Sequence, residues 1–240
     1  MQIEWTDGEE SFADRAAKHV AARFADKPTQ TVALPTGMTP VGLYRRLLAL
    51  EAAGAIRLGA AHYFNLDEYV GVPQADSHSF AAFLHRHFLD QAAIAPGQVR
   101  LLQGDAPDIA AEAQAHDAAV AAQGGLDLAI LGLGANGHIA FNEPGASWDA
   151  TTHVVPLTQE TRAANAAYFA DAFTVPSEGV TMGIGMLRAA RHILLMVSGA
   201  SKAQALEAFL AGRPDPSWPV TALCGHPSVT LVADSALRRG

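Results

Sequence analysis

The stretch from Leu126 to Ser147 constrains the fold more than any other part of the chain. It opens with apolar residues typical of a buried strand, and this pattern breaks at Gly132 and Gly134. Polar side chains follow at once, namely Asn136, His138, Asn142 and Glu143. Ligands of open α/β sheets bind beyond the carboxyl ends of the strands, so the stretch predicts a strand that leads into a binding loop. A glycine-rich turn that contains a histidine by chance also explains the same residues. Short glycine motifs are weak evidence of a binding loop when taken alone.

Length, charge and cysteine content limit the classes of protein to which the chain can belong. The 240 residues suit one large domain or two small ones, and 50% of them are hydrophobic, which predicts a folded chain. A net charge of −8 argues against a nucleic-acid partner, and the single Cys224 excludes an internal disulfide framework or a cysteine metal cluster. We find neither a signal-peptide pattern nor an apolar run that could span a bilayer, and therefore expect no membrane partner and a cytoplasmic location.

A second strand ends in polar residues at Pro35 to Pro40. After the apolar run 31–34, Thr39 is placed to cap a helix whose first residue is Pro40. The hydroxyls of Thr36 and Thr39, the flexible Gly37 and the positive helix end predict a phosphate-binding loop. An ordinary strand-to-helix turn is the alternative, and the lysine of a nucleotide-binding P-loop is missing.

The predicted strand 61–66 is followed by two carboxylates, Asp67 and Glu68. Adjacent strand residues point to opposite faces, so only one of them can face a pocket. We assign Asp67 as a catalytic base and Glu68 as structural, although a solvated acidic turn fits the spacing about equally well. His85 and His87, on the helix predicted for 80–90, are interpreted as surface or structural side chains.

A third junction lies at Ser198 to Lys202, after the apolar strand 193–197. The helix dipole disfavours a lysine in a first helical turn, so Lys202 there indicates an anion site, unless it is simply a solvated lysine. Helical periodicity further predicts helices near 8–25, 41–50, 108–122, 158–173 and 182–192, and strands near 99–102, 152–155 and 228–233. This alternation predicts a single α/β domain over 1–240, with a mainly parallel sheet covered by helices on both faces.

Four motifs, in this order, resemble those of the glucosamine-6-phosphate deaminases: residues 35–40 (PTGMTP), 64–69 (FNLDEY), 137–144 (GHIAFNEP) and 198–202 (SGASK). The resemblance covers nearly the whole chain, and the related 6-phosphogluconolactonases usually continue differently after the glycine–histidine pair. It implies a modified doubly wound, Rossmann-like sheet. It also implies conversion of glucosamine 6-phosphate to fructose 6-phosphate and ammonia, without a metal or redox cofactor.

The resemblance assigns roles to individual residues. His138 would open the sugar ring, Glu143 and Asn136 would orient His138, and Asp67 would move a proton from C2 to C1. Lys202 and the loop from Thr36 to Thr39 would hold the phosphate, under a mobile lid around residues 157–180.

The chain departs from the family pattern at several positions. Asn136 replaces a frequent aspartate, which predicts a changed pH dependence, and Ala167 replaces an arginine that helps bind phosphate. His153 and Val155 stand where the hexameric enzymes bind their activator. With the shorter C-terminal segment, this predicts a monomer or small homo-oligomer that N-acetylglucosamine 6-phosphate does not activate. Three alternatives stay open: a galactosamine-6-phosphate deaminase, a 6-phosphogluconolactonase and a non-catalytic sugar-phosphate sensor.

Overall fold

The computed structural model describes residues 1–169 and 175–238. This part of the chain contains ten strands and seven α-helices. The strands are β1 (Gln2–Thr6), β2 (Thr31–Leu34), β3 (His62–Asn65), β4 (Asp67–Tyr69), β5 (Val99–Arg100), β6 (Leu128–Gly132), β7 (His153–Pro156), β8 (Glu178–Thr181), β9 (His192–Val197) and β10 (Val229–Asp234). The helices are α1 (Gly8–Asp26), α2 (Val41–Ala52), α3 (Phe80–His87), α4 (Ile109–Ala122), α5 (Gln159–Asn165), α6 (Ile184–Arg188) and α7 (Ala203–Leu210).

Seven strands form the central sheet, in the order β1-β10-β9-β6-β2-β3-β5, and all their pairings are parallel. The predicted α/β class and parallel sheet are confirmed, whereas β1 was not predicted. Because the strands are parallel, the carboxyl ends of β2, β3, β6 and β9 lie along the same edge. The loops that carry the predicted site residues therefore start side by side.

Helices cover both faces of the sheet, as predicted. Alternate residues of β9 enter different cores: Ile193 and Leu195 pack in one, and Leu194 and Met196 in the other. Buried residues of α1, α2 and α3 belong to the core that contains Met196. Those of α6 and α7 belong to the opposite core. This alternation is the two-residue period of a strand buried on both faces.

A smaller antiparallel sheet, in the order β4-β8-β7, extends from the carboxyl edge of the central sheet. Its first strand follows β3 after one residue, and the Met182 amide donates to the Leu66 carbonyl oxygen (2.7 Å) at the junction. The extended segment 152–155 was predicted, but β4 and β8 were not. This sheet places Asp67 inside a strand rather than in the turn after one.

Two predicted helix boundaries are wrong. Helix α2 begins at Val41, Pro40 lies at its N-cap, and the Thr39 side chain makes no capping hydrogen bond. The Thr39 hydroxyl is therefore not used by the helix. Helix α3 ends at His87 instead of reaching Asp90. No helix in the described ranges is both long enough and apolar enough to cross a bilayer.

The helix predicted for 158–173 is divided. Thr158 caps α5 through a hydrogen bond from the Thr161 amide (3.2 Å), and a 3-10 helix follows over Ala166–Phe169. Residues 170–174 lie outside the described ranges. The side chain of Ala167 also lies outside the described part of the chain. The structure therefore does not test the prediction that Ala167 replaces an arginine that helps bind phosphate.

Candidate active site

A cavity of about 340 Å³ lies at the carboxyl edge of the central sheet. It brings together six of the predicted site residues, which come from four separate segments of the chain: Thr36, Gly37, Thr39, Asp67, His138 and Lys202. Asn136 and Glu143 are not part of the cavity wall and instead contact the His138 loop. A hexose phosphate is small enough for such a pocket, since ligand pockets are commonly about 300–1,000 Å³.

Close packing against glycine fixes the His138 ring. A Cβ atom at Gly134 would lie 2.4 Å from three atoms of the imidazole, so only glycine fits beneath it. The Gly134 amide also donates to the His138 carbonyl oxygen (2.9 Å). The buried Asn142 amide group donates to the carbonyl oxygens of Ile139 (3.0 Å) and Met182 (2.8 Å), which ties the loop to the end of β8. The loop geometry thus sets the direction of the imidazole.

Glu143 lies behind His138 in a network of polar contacts. One carboxylate oxygen accepts from the Asn136 side-chain amide (2.7 Å) and lies 3.7 Å from Nδ1 of His138. The other accepts from the hydroxyls of Thr158 (3.2 Å) and Thr161. Asn136 also accepts from the His138 amide through its side-chain oxygen (3.2 Å). An asparagine can therefore bridge Glu143 and the His138 backbone, because it offers both a donor and an acceptor.

This network favours the ionised form of Glu143. Burial alone raises the pKa of Glu143, but attraction to His138 and hydrogen bonds from Thr161 and Asn136 outweigh burial and lower the pKa to about 2. A carboxylate is thus present next to Nδ1 of His138 at neutral pH. Such a carboxylate favours an imidazole that carries its proton on the facing nitrogen.

Asp67 has a different environment, although it lines the same cavity. The residue is 6% exposed, and no described residue donates a hydrogen bond to its carboxylate. Burial raises the pKa of Asp67 well above its usual value, and the neighbouring Glu68 carboxylate adds to the effect. Loss of water makes a carboxylate a stronger base, which suits proton abstraction from carbon.

Glu68 is structural, as its predicted orientation implies. It is fully buried and accepts hydrogen bonds from the amides of Tyr69 (3.0 Å), Phe80 (2.9 Å) and Ala81 (2.9 Å). Burial raises the pKa of Glu68 to about 7, against the effect of these amides. The side chain therefore fixes the start of α3 against the strand that carries Asp67.

The remaining predicted residues form a polar, cationic end of the cavity. Gly37 has a φ of 87°, which lets the loop after β2 turn between Thr36 and Thr39. Lys202 belongs to a short 3-10 helix that precedes α7, and its side chain reaches the cavity. Burial lowers the pKa of Lys202, while the carboxylate of Glu160 opposes this shift.

Sequence reasoning missed several residues of the cavity wall: Ser77, His78, Ser79, Arg86, His87, Thr161 and Asn165. The loop that leads to Ser79 is expected from the sequence to fold over the site, and its residues Ser77 and His78 do line the cavity, although neither was named as a site residue. His85 is a surface residue that pairs with Asp90 (2.7 Å), as interpreted, but His87 lines the cavity and packs on Phe83 (4.4 Å between ring centroids). The sequence from Phe83 to His87 contains no local pattern that predicts a place for His87 in the cavity wall.

Within the described ranges, no group of three or more His, Cys, Asp and Glu side chains is arranged to hold a metal ion. The expectation that the chemistry needs neither metal nor cofactor stays a prediction. The cavity wall contains both acid–base groups, Asp67 and His138, and the cation of Lys202, a combination that suits proton transfer on a small anionic substrate.

Comparison with known proteins also indicates an enzyme that acts on a sugar phosphate. The family model described as "Glucosamine-6-phosphate isomerases/6-phosphogluconolactonase" matches residues 7–232. The chain belongs to this family. Curated family members named glucosamine-6-phosphate deaminase include one from Lysinibacillus sphaericus, 39% identical, with 93% of this chain and 94% of the relative covered. Another, from Bacillus velezensis, is 38% identical, with 96% of each covered.

Solved structures of the family show the same fold. A monomeric glucosamine-6-phosphate deaminase has a TM-score of 0.95 and 36% identity, with 99% of this chain and 100% of that chain covered. A 6-phosphogluconolactonase from Thermotoga maritima has a TM-score of 0.78 and 20% identity, with 97% and 99% covered, and shows the fold alone. The modified doubly wound, Rossmann-like architecture expected from the motifs is therefore confirmed.

Proposed function

We propose that the protein is a glucosamine-6-phosphate deaminase, which converts glucosamine 6-phosphate and water to fructose 6-phosphate and ammonia. One observation carries the proposal: a buried Asp67 carboxylate lines the same cavity as a histidine that is backed by an ionised Glu143. Family relatives named for this activity cover almost the full length of the chain.

His138 performs the first step. The imidazole gives a proton to the ring oxygen of the bound sugar as the C1–O5 bond breaks, and it then takes up the proton that the C1 hydroxyl loses, which gives the open-chain aldehyde. Glu143 orients the ring, since its carboxylate lies 3.7 Å from Nδ1. Gly134 keeps the imidazole aimed into the cavity, because it lets the ring pack directly against the backbone.

Asp67 performs the second step. Its carboxylate removes the proton from C2 while the C1 oxygen takes a proton from the neighbouring ammonium group of the sugar, which gives an enolamine. Asp67 then delivers its proton to C1. The resulting C2 imine reacts with water and releases ammonia and fructose 6-phosphate. A base that burial has strengthened suits abstraction of a weakly acidic C–H proton.

The phosphate would occupy the cationic end of the cavity, at Lys202 and the loop from Thr36 to Thr39. Since the hydroxyl of Thr39 caps no helix, it is free to donate to a phosphate oxygen. We further propose that residues 157–180 act as a lid, because Thr158 and Thr161 at the start of α5 bind Glu143 directly. The cytoplasmic location and the absence of nucleic-acid partners stay predictions.

The deciding experiment measures ammonia and fructose 6-phosphate in the same sample after addition of glucosamine 6-phosphate. We expect stoichiometric amounts of both from the wild-type protein. Asp67→Asn should lower kcat by roughly 10²–10⁴-fold, the usual contribution of a general base. Asp90→Asn, a surface carboxylate, is the matched control and should keep full turnover.

Other outcomes separate the alternatives. Equal turnover in Asp67→Asn protein contradicts the proposed mechanism. Hydrolysis of 6-phosphogluconolactone without ammonia release indicates the lactonase, for which a base at C2 is dispensable. Faster turnover of galactosamine 6-phosphate than of glucosamine 6-phosphate indicates a galactosamine-6-phosphate deaminase. Tight binding of both amino-sugar phosphates and of the lactone, without turnover of any of them, indicates a sensor.

A further inference from the structure

Arg86 is an arginine of the cavity wall without a carboxylate partner. It lies in the last turn of α3, is exposed, and lines the cavity. In the described part of the chain its guanidinium makes no ion pair and no hydrogen bond. Arg100 and Arg191, by contrast, each contact a carboxylate at 2.7 Å. The Arg86 charge is therefore available to a ligand.

Aromatic packing holds this end of α3 next to the loop after β2. Phe88 stacks on Tyr44, with 4.9 Å between ring centroids. The Tyr44 hydroxyl in turn donates to the Pro35 carbonyl oxygen (2.5 Å), where that loop begins. Arg86 lines the same cavity as Thr36 and Thr39, so its exposed side chain is available to a group bound there.

The neighbouring His87 does not supply this charge. Its ring packs against Phe83, and burial followed by the Arg86 charge lowers the pKa of His87. The imidazole is therefore neutral at physiological pH and acts at most as a neutral hydrogen-bonding group. Among the described residues of the cavity wall, Arg86 and Lys202 are the ones with a permanent positive charge.

We propose that Arg86 binds the 6-phosphate of the substrate from the α3 side of the cavity, together with Lys202 and the loop from Thr36 to Thr39. A phosphate monoester carries close to two negative charges at neutral pH, and one half-buried lysine compensates only part of them. Guanidinium groups match phosphate oxygens with paired hydrogen bonds. The inference rests on the proposed function, because it takes the ligand to be a sugar phosphate.

Binding can be tested without turnover. D-glucitol 6-phosphate is an open-chain hexose phosphate that lacks the reactive carbonyl, and its affinity can be measured by calorimetry at two salt concentrations. Arg86→Gln should weaken binding by about 10-fold or more, as expected for loss of a hydrogen bond to a charged group. It should also reduce the salt dependence of binding, which a merely structural role would not alter.

Two further variants complete the design. Arg86→Lys should recover part of the affinity, and Arg213→Gln, an exposed arginine outside the cavity wall, should bind as the wild type does. Wild-type affinity and salt dependence in Arg86→Gln protein would overturn the inference. Ammonia release by the wild-type protein is measured separately, so failure of this inference remains distinct from failure of the proposed deaminase activity.

Discussion

Gly134 and His138 illustrate how one missing side chain can determine a catalytic position. The imidazole packs where the Cβ of any other residue would lie, at 2.4 Å from ring atoms. Real Cβ contacts do not approach this distance, so the ring or the loop must move if a side chain is added. The sequence marks this glycine only as a strand breaker, and the structure shows its use.

Gly134→Ala is predicted to displace the His138 ring from the cavity. We expect kcat to fall by roughly 100-fold, since small misplacements of catalytic groups have effects of that order. The free energy of unfolding should also fall, by about 1–3 kcal/mol, because the site becomes overpacked. Steady-state kinetics and urea denaturation measure the two effects. Gly97→Ala, at an exposed glycine with open space around its Cβ position, should change neither quantity.

Glu143 gives a prediction about pH. Its pKa in the folded protein is about 2, compared with an ordinary value of 4.5. A lowered pKa stabilises the fold above the unfolded-state pKa, and this contribution is lost as pH falls from 4.5 towards 2. Compared with Glu143→Gln, the wild type should have its largest stability advantage at pH 7, and this advantage should shrink as pH falls to 3. Chemical denaturation of both proteins at pH 7, 5 and 3 provides the check, and a constant difference contradicts the assignment.

At the scale of elements, Glu68 joins a strand to a helix. Its carboxylate binds amides at the start of α3, and the Ser79 hydroxyl accepts from the Ala82 amide (2.9 Å) at the same helix end. The first amides of a helix have no partner within the helix, so these side chains satisfy donors that would otherwise be unpaired. The position of α3, and with it Arg86, depends on this connection.

Glu68→Ala should therefore destabilise the protein and loosen α3. Because it leaves several buried amides without acceptors, we expect a loss of about 2–4 kcal/mol in the free energy of unfolding. Ser79→Ala removes a single cap and should cost about 1 kcal/mol. Denaturation curves give the energies, and hydrogen exchange at the amides of Phe80 and Ala81 reports local opening. Equal losses in the two variants would show that Glu68 is no more than an ordinary cap.

At the scale of the whole molecule, the cavity is lined by segments that are far apart in one chain. Its walls include the residues that follow β2 and β3, the end of β6, strand β4, the loop before α3, the last turn of α3 and the start of α5. No residue from another subunit is needed to bring the predicted groups together. The family member with a TM-score of 0.95 is described as monomeric.

We accordingly predict a monomer or small homo-oligomer with hyperbolic kinetics. Light scattering should give a mass near 25.1 kDa or a small multiple of it at concentrations used for assays. N-acetylglucosamine 6-phosphate should leave the apparent affinity for substrate unchanged, since the family resemblance places His153 and Val155 at the positions of the activator-binding residues. A larger assembly, or sigmoidal kinetics that this compound abolishes, would contradict the prediction.

The sequence by itself determined the parallel α/β class and the candidate groups Asp67, His138 and Lys202 of the cavity. These signals are local: apolar runs mark buried strands, glycines mark their ends, and such polar residues follow them. Parallel pairing then brings the strand ends together at one edge. The motifs around Asp67 and His138 also identify the family.

Only the tertiary structure decided which distant groups meet. The short strands β4 and β8 carry no clear periodicity, and their pairing depends on contacts far apart in the sequence. Thr158 and Thr161 contact Glu143 because the chain folds back against the loop that carries His138. Arg86 lines the cavity because stacking of Phe88 on Tyr44 holds the end of α3 against α2. Such contacts depend on side-chain packing between elements, and a local pattern of residue types does not contain that information.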